Sequence, residues 1–457
     1  MDCARPATRG AAVAVLLGLV TGLGLAPRAL GTSSTPGLVE VSRKAMSARL
    51  LELRMRTPAL SKDTFVRVLL PADYTRNDRR YPVLYLFNGG GGSWLDWTDM
   101  GAAEAHTASL PLIVVMPDGG TGGNYTDWYA PDSSGKRPLW ETYHLSQLLP
   151  WVDAHFRTIP DRAHRAAAGL SMGGNGALHY AARHPDLFVA AASFSGANDV
   201  FEPVIEPITE TTGISEGDTP GAVFGPRATE EIRWRGSNPV DLAGNLRDTW
   251  VSLAFGNGMP GGPGGGGLPL DPIEYAVHDA NVTLHSQLEQ HSVSHVYNDY
   301  GAGNHSWYYW SRGFQQALPR LMRVFAENRP APVRFTHSAI EPTYTVYDWQ
   351  VSLTRPALEW SQLVNASPEG FVLRGSGTAV VRTPSSWDPG TRLSVTTRDR
   401  SGVHRTTMTV GPDRRLTTKL ALGPGNPYQE DTVQARALGG TKVYQASVTI
   451  TPTQTSH

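Results

Sequence analysis

At 457 residues, 40% of them apolar, with a formal net charge of -1, the chain exceeds one domain of about 100 to 200 residues and has apolar material for two cores. Without a basic excess it has no field to hold a polyanion, which excludes nucleic acid as an expected partner. Its only cysteine, Cys3, excludes a disulfide framework and, lying in a segment expected to be removed, also a thiol nucleophile or thiolate metal site.

The first 31 residues read as a secretory signal: Arg5 and Arg9, an apolar run from Ala11 to Ala26, then the small-x-small pattern Ala29-Leu30-Gly31. That run is Gly-interrupted and shorter than the ~20 residues needed to span a bilayer. Cys3 precedes it, so a lipid anchor on a processed cysteine is not indicated. Secretion to the cell envelope or the medium is the expectation.

From Leu50 to Glu327 short β-rich apolar runs alternate with helical patterns, which predicts a mostly parallel sheet covered by helices. Leu50 to Met55 and Thr64 to Leu70 open the series as a pair of strands. Val83 to Phe87, Leu110 to Met116, Ala166 to Leu170, Val189 to Phe194, Trp250 to Phe255 and Val293 to Tyr300 continue it. Helices are predicted over Leu145 to Phe156, Ala177 to Arg183, Val282 to His291 and Gly313 to Glu327. Pro185 closes the second, because its ring clashes with a continuing helix.

After Asn328-Arg329-Pro330-Ala331-Pro332 the pattern becomes two-residue alternation, in Tyr344 to Val351, Thr378 to Thr383, Leu393 to Thr397 and Val443 to Ile450. An all-β sandwich is predicted there. The expected organisation is a signal segment over 1–31, an α/β domain over 32–328 and a β-sandwich over 333–457. Tyr344, Tyr347, Trp349, Trp360 and Trp387 are expected in the sandwich core, since strand aromatics usually face inward.

With 48 glycines the pattern Gly-x-Ser-x-Gly is cheap, and it occurs twice, around Ser171 and around Ser215. Context separates them. Ser171 follows the strand run Ala166-Ala167-Ala168 and precedes a small-residue helix start, as a nucleophile elbow requires. Ser215 follows Glu210-Thr211-Thr212 and runs into Asp218-Thr219-Pro220, a surface loop. A serine at a strained turn needs neighbours two residues away without a Cβ, and Gly169 and Gly173 meet that demand.

A serine hydroxyl attacks a carbonyl only if a base takes its proton and an acid orients that base. Among 14 histidines, His305 lies best, between the last predicted strand and the final helix. His278, His285 and His291 sit in or beside the preceding helix, where a solvated histidine is the ordinary reading; His179 and His184 follow Ser171 too closely to fold back on it. The acid should follow the strand ending at Phe255; Glu274, Asp271 and Asp279 are the candidates, and spacing does not choose among them. The glycines from Gly256 to Gly267 do not form a dinucleotide fingerprint, because Pro260 and Pro263 interrupt them and they end the sheet series. Two N–H donors for an oxyanion are expected from Met172 and from the loop Asn88-Gly89-Gly90-Gly91-Gly92-Ser93, with Gly90 chosen ahead of Gly89. No cofactor and no metal site is expected.

Together these segments resemble the esterase family that contains esterase D (S-formylglutathione hydrolase) and the trehalose mycolyltransferases of actinobacteria. The resemblance rests on Gly169-Leu170-Ser171-Met172-Gly173-Gly174, Tyr125-Thr126-Asp127-Trp128-Tyr129 with Trp140-Glu141-Thr142, Phe255-Gly256-Asn257-Gly258-Met259-Pro260 and Asn304-His305-Ser306-Trp307-Tyr308-Tyr309-Trp310. It implies an α/β-hydrolase fold, Ser171 as nucleophile, His305 as base, and Met172 and Gly90 as oxyanion donors. The mycolyltransferase pattern implies Glu274 as the acid, the esterase D pattern an aspartate nearer Asp271; Glu274 is favoured. Mycolyltransferases carry an acidic residue and an arginine where this chain has Asn88 and glycines, so the likeness does not extend to trehalose as acceptor. The expected activity is ester hydrolysis or acyl transfer on a small-molecule or glycolipid ester, through an acyl-serine. The alternative is a non-catalytic secreted binding protein on the same scaffold. The C-terminal segment resembles β-sandwich appendages of secreted actinobacterial enzymes and supplies no catalytic constellation.

Overall fold

The computed structural model describes residues 37–211, 219–264 and 269–453. The expected signal segment with Cys3, and the pentapeptide around Ser215, lie outside them. Nine strands in the first part pair into one sheet: β1 (Val39–Ala45), β2 (Leu50–Arg56), β3 (Thr64–Leu69), β4 (Val83–Phe87), β5 (Ile113–Pro117), β6 (Arg165–Leu170), β7 (Ala190–Phe194), β8 (Trp250–Phe255) and β9 (His295–Asp299). Their order is β1-β2-β3-β5-β4-β6-β7-β8-β9. The pairs β1/β2, β2/β3 and β3/β5 are antiparallel, and all the others are parallel. This is the mostly parallel sheet of an α/β-hydrolase.

Both faces are covered, so the central strands read as continuous apolar runs whose alternate residues enter different cores. Val83, Tyr85 and Phe87 of β4 face one core, with Ala167 and Leu253, while Leu84, Leu86, Ala166 and Ala168 face the other. The connections carry the single turns α1 (Asp96–Asp99) and α2 (Ala103–His106), then α3 (Leu149–His155), α4 (Met172–Arg183), α5 (Ile205–Thr211), α6 (Arg227–Arg235), α7 (Pro272–Gln290) and α8 (Trp307–Glu327). Helix α8 lays Phe314, Leu318, Leu321 and Phe325 on the second core, spaced by four, three and four residues as one helical face demands. Burial of each such side chain contributes roughly 1.5–3 kcal/mol.

Several boundaries differ from the sequence expectation. Helix α7 starts at Pro272, ten residues before the periodic stretch, because Asp271 caps it through the N–H groups of Ile273 and Glu274 and proline suits its first turn. Helix α8 starts at Trp307, and α4 at Met172 directly after Ser171. A π-helical turn over Thr142–Leu148 leads into α3. Strand β1 and helices α5 and α6 were not expected: β1 is exposed almost throughout, and the buried positions of the two helices include the polar Thr209, Glu230 and Glu231, which carry no apolar periodicity.

Ten further strands follow: β10 (Phe335–Ala339), β11 (Thr343–Val346), β12 (Trp349–Thr354), β13 (Ser361–Ser367), β14 (Gly370–Gly375), β15 (Gly377–Arg382), β16 (Arg392–Asp399), β17 (Gly402–Thr409), β18 (Thr417–Gly423) and β19 (Tyr444–Pro452). They form antiparallel sheets in the orders β10-β13-β14-β19-β16-β17 and β11-β12-β15-β18. The run Tyr344 to Val351, expected as one strand, is instead a hairpin. Val346 pairs with Trp349, and Tyr347 and Asp348 both take left-handed φ, 46° and 65°, as a two-residue turn matched to strand twist requires.

Trp349 is buried in the sandwich core, with Tyr344, Tyr347 and Trp387 packed against it, but Trp360 packs against the core of the first part instead. Trp360 lies where the two parts meet. There Asn245 Nδ2 donates to Ser338 O and its Oδ1 accepts from Ser338 N, both at 2.9 Å; Arg183 pairs with Glu341, and Arg436 with Glu231.

Candidate active site

Parallel pairing brings the C-terminal ends of five strands to one edge. Phe87 aligns with Gly169, Leu170 with Phe194, Phe194 with Ala254, and Phe255 with Asp299. The residues that follow each strand therefore converge: the loop from Asn88, Ser171, Ser195, Gly256, and the loop from Tyr300 to Ser306. In open α/β sheets this edge is where ligands bind.

Ser171 has φ 51° and ψ -122°, a conformation sterically disfavoured for a residue with a Cβ. Its surroundings impose it: Ser171 N donates to Phe194 O at 3.0 Å, and Ser171 O accepts from Gly174 N and Asn175 N at the start of α4. A Cβ on Gly169 would lie 2.3 Å from Gly173 O, and one on Gly173 2.4 Å from Asn88 O. The two glycines are thus required by backbone contacts.

His305 Nε2 lies 2.9 Å from Ser171 Oγ, and His305 Nδ1 lies 2.7 Å from Glu274 Oε2. Glu274 is fully buried. Its Oε1 accepts from Ser195 Oγ at 2.8 Å, Gly256 N at 2.7 Å and Tyr300 OH at 3.3 Å. Burial and the nearby Glu274 charge push the Tyr300 phenol well above its ordinary range, keeping it a donor. Asp271 reaches not the imidazole but the main chain: its Oδ2 accepts from His305 N at 2.9 Å while Oδ1 caps α7. Asp279 sits 3.2 Å from His278. Of the three acid candidates, Glu274 alone meets the His305 ring. Ser195, Tyr300 and the N–H of Gly256 escaped sequence reasoning, although Ser195 and Gly256 are each the first residue after a predicted strand and Tyr300 is the last residue of one.

In the glycine loop, Gly91 N donates to Thr121 O at 2.8 Å and Gly92 N to Gly89 O at 3.2 Å. Among the described residues, the N–H groups of Gly90 and Met172 engage no such acceptor, and both residues border the cavity above Ser171. Asn88 braces the loops, its Oδ1 accepting from Gly119 N and its carbonyl from Tyr125 OH, both at 2.9 Å. The glycines from Gly256 serve the carboxylate site: Gly256 N holds Glu274, and Gly258 O accepts from Asp271 N at 2.8 Å.

The cavity over Ser171 measures about 690 Å³ and is walled by apolar groups, among them Leu170, Val200, Ile205, Ile208, Val277, Trp307 and Trp310. Among the described residues that line it, Asp96 is the one carboxyl, pushed up by burial. A second cleft of about 520 Å³ shares Gly92 and Thr121 with it and presents Trp94, Trp140, Asp63, Asp132 and Lys62. Chemically, the arrangement offers a hydroxyl, a proton acceptor tied to a carboxylate, two N–H donors and an apolar chamber.

The family model "Putative esterase" matches residues 57–321. The chain belongs to the Esterase family. An esterase of Mycobacterium tuberculosis, Esterase Rv1288, is 39% identical over 234 residues, 50% of this chain and 50% of that protein, so the chain spans half the length of that relative. The diacylglycerol acyltransferase/mycolyltransferase Ag85B of Mycobacterium leprae is 32% identical over 258 residues, 53% of this chain and 76% of that protein. Among solved structures, an S-formylglutathione hydrolase from Agrobacterium tumefaciens aligns over 63% of this chain and 99% of its own with a TM-score of 0.48 and 16% identity. This member of the Esterase family carries all four segments on which the sequence resemblance rests inside or beside the matched span.

Proposed function

We propose that the chain is a secreted serine esterase or acyltransferase working through an acyl-Ser171 intermediate. The observation that carries the reading is the chain of contacts Ser171 Oγ to His305 Nε2 at 2.9 Å and His305 Nδ1 to Glu274 Oε2 at 2.7 Å. Ser171 Oγ attacks the ester carbonyl carbon as its proton passes to His305 Nε2. Glu274 holds the imidazole in the tautomer that leaves Nε2 free to accept and stabilises the imidazolium. The N–H groups of Met172 and Gly90 receive the oxyanion, and His305 returns the proton to the departing alcohol. Water or a second alcohol then takes the acyl group by the same route in reverse.

The apolar cavity suits the acyl chain and the polar cleft beside it the alcohol, which supports a small-molecule or glycolipid ester as substrate. Residues 32–328 form the catalytic domain in this reading, and 333–457 an accessory sandwich braced against it. Export rests on the charged and apolar pattern of residues 1–31; no helix among the described residues is long and apolar enough to cross a membrane. The alternative, a binding protein on a hydrolase scaffold, requires Ser171 and His305 to stand apart, and their 2.9 Å separation weighs against it.

The test is labelling with a fluorophosphonate probe and turnover of p-nitrophenyl esters of increasing chain length, beside Ser171→Ala. Both signals vanish in the variant if the reading holds. A variant as active as the unmodified protein overturns it.

A further inference from the structure

Far along α7 from Glu274, His285 and Glu289 stand one helical turn apart, and His295 opens the sheet's edge strand β9 beside them. One ligand atom from each lies within 4.8 Å of the others. Among the described residues no other set of three such side chains meets that condition. We propose that these three residues form a binding site for a divalent transition metal, with zinc the best match, which staples the C-terminal half of α7 to β9.

The donor set points to the metal. Two imidazoles and one carboxylate suit zinc, whereas calcium and magnesium prefer all-oxygen shells. The tautomers are also suitable. His295 Nδ1 lies 2.8 Å from Val293 O, so it carries the proton, and in the neutral ring Nε2 is a bare lone pair. That lone pair faces His285 Nδ1 at 2.7 Å. A carbonyl behind the ring is the outer support that metal-binding histidines ordinarily have. The plane of His285 is set by stacking on Tyr297, with centroids 4.1 Å apart and rings inclined by 29°.

Without metal, His285 Nδ1–H donates to His295 Nε2. Metal entry moves that proton to His285 Nε2, so both facing nitrogens present lone pairs and two neutral imidazoles release no net proton. At Zn–N distances of about 2.0–2.1 Å, tetrahedral geometry sets the nitrogens about 3.3 Å apart, an opening of about 0.6 Å from the present 2.7 Å contact. Glu289 is exposed and one turn from His285, so its carboxylate closes the third position and water the fourth. Histidine spacing alone passes over this group because His285 and His295 lie on different elements, brought together only by the return of the chain into β9.

The site is some eleven residues along α7 from Glu274, about 16 Å at helical rise, so the metal stabilises the fold without entering the ester chemistry. The test is titration of the tag-free protein with zinc chloride in competition with a chromophoric chelator, together with thermal melts with zinc, with magnesium and with EDTA. One equivalent is expected to bind with a Kd of about 10 μM or tighter, with a melting temperature raised by several degrees by zinc and unmoved by magnesium. His285→Gln and His295→Gln should each remove the equivalent and the rise. Glu289→Gln, an exposed substitution that leaves folding intact, should weaken zinc at least tenfold. Ester turnover at 25 °C should change less than twofold with EDTA. Absence of a saturable equivalent, or binding unaffected by all three substitutions, overturns the proposal, and neither result bears on Ser171.

Discussion

Ser195 Oγ donates to Glu274 Oε1 at 2.8 Å, so the buried carboxylate meets His305 with its other oxygen. Ser195 holds this place with φ 47°, its N–H tied to Ala254 O at 2.8 Å. Replacing it with alanine leaves Glu274 with Gly256 N and Tyr300 OH on that oxygen. We expect Ser195→Ala to lower kcat about tenfold with KM unchanged, because an orienting contact is lost and no substrate contact is. Tyr300→Phe, which removes the longer 3.3 Å bond, should act in the same direction and less. Steady-state kinetics on one p-nitrophenyl ester decide the matter, and a rise in KM alone contradicts it.

The two acids near His305 divide the work between ring and main chain. Glu274→Gln should lower kcat by about 10³- to 10⁴-fold, as loss of an orienting carboxylate does in related chemistry. Asp271→Asn keeps a capping side chain but removes its charge from the helix start and from the His305 N–H contact, for at most about 1 kcal/mol of stability and a much smaller kinetic loss. If the two variants lose activity equally, Glu274 has no special standing.

Gly173→Ala should be among the most damaging single substitutions. Its Cβ would stand 2.4 Å from Asn88 O, a backbone atom that cannot swing away, so a loss above about 3 kcal/mol or insoluble protein is expected. Gly91→Ala is the control. With φ 72° and nothing within 4 Å, it meets only left-handed strain of about 1–2 kcal/mol. Thermal melts of the pair should separate them clearly.

Acid should destabilise the protein progressively from near pH 6.5 downward. Burial lowers His144 to about 4 and His179 and His337 to about 3, so each is neutral in the folded chain at neutral pH. His144 donates from Nε2 to Asp118 O at 3.0 Å and accepts from Tyr180 OH at 2.9 Å, while His179, 4.0 Å from Glu141, has no hydrogen-bond partner at either nitrogen among the described residues. Once the pH falls below 6.5 the unfolded chain takes up protons that the folded one refuses. Stability therefore decreases from there toward pH 4 and then 3, by up to about 3 kcal/mol for His144. Glu141 is desolvated by burial, yet Arg183 and His184 hold it well below the ordinary carboxylate range, so its contribution is present above about 4.5 and is lost in stronger acid. Urea midpoints at pH 7.5, 6.0 and 4.5 should fall in sequence, and less steeply for His144→Gln. A midpoint independent of pH contradicts this account.

Chain-length preference should respond to the wall of the apolar cavity. Ile208 borders it from α5 and is 45% exposed, so a larger side chain is tolerated by the fold. Ile208→Trp should reduce kcat/KM for octanoate and decanoate esters by about tenfold while leaving acetate within threefold, the range that a methylene or two in an apolar pocket commands. Equal losses for all chain lengths would place the acyl group elsewhere.

Much of the site was legible in the sequence because its constraints are local. An elbow needs a strand, a serine and a helix within a few residues, and Gly169 and Gly173 answer backbone clashes that any such turn creates. His305 stood out for the same reason, lying between a strand pattern and a helix pattern. The choice between Glu274 and Asp271 was not local. Both occupy the start of α7, and only the path of that helix under β8 and β9 decides that one faces the imidazole and the other the His305 main chain. Ser195 and Tyr300 carry no motif; parallel register puts them beside Glu274. Likewise His285 and His295 met only when the chain returned as the edge strand. Residue types and short spacings thus determined the chemistry available to this protein, while partners far apart in the chain were decided by the sheet, because strand order and register set which loop ends share an edge.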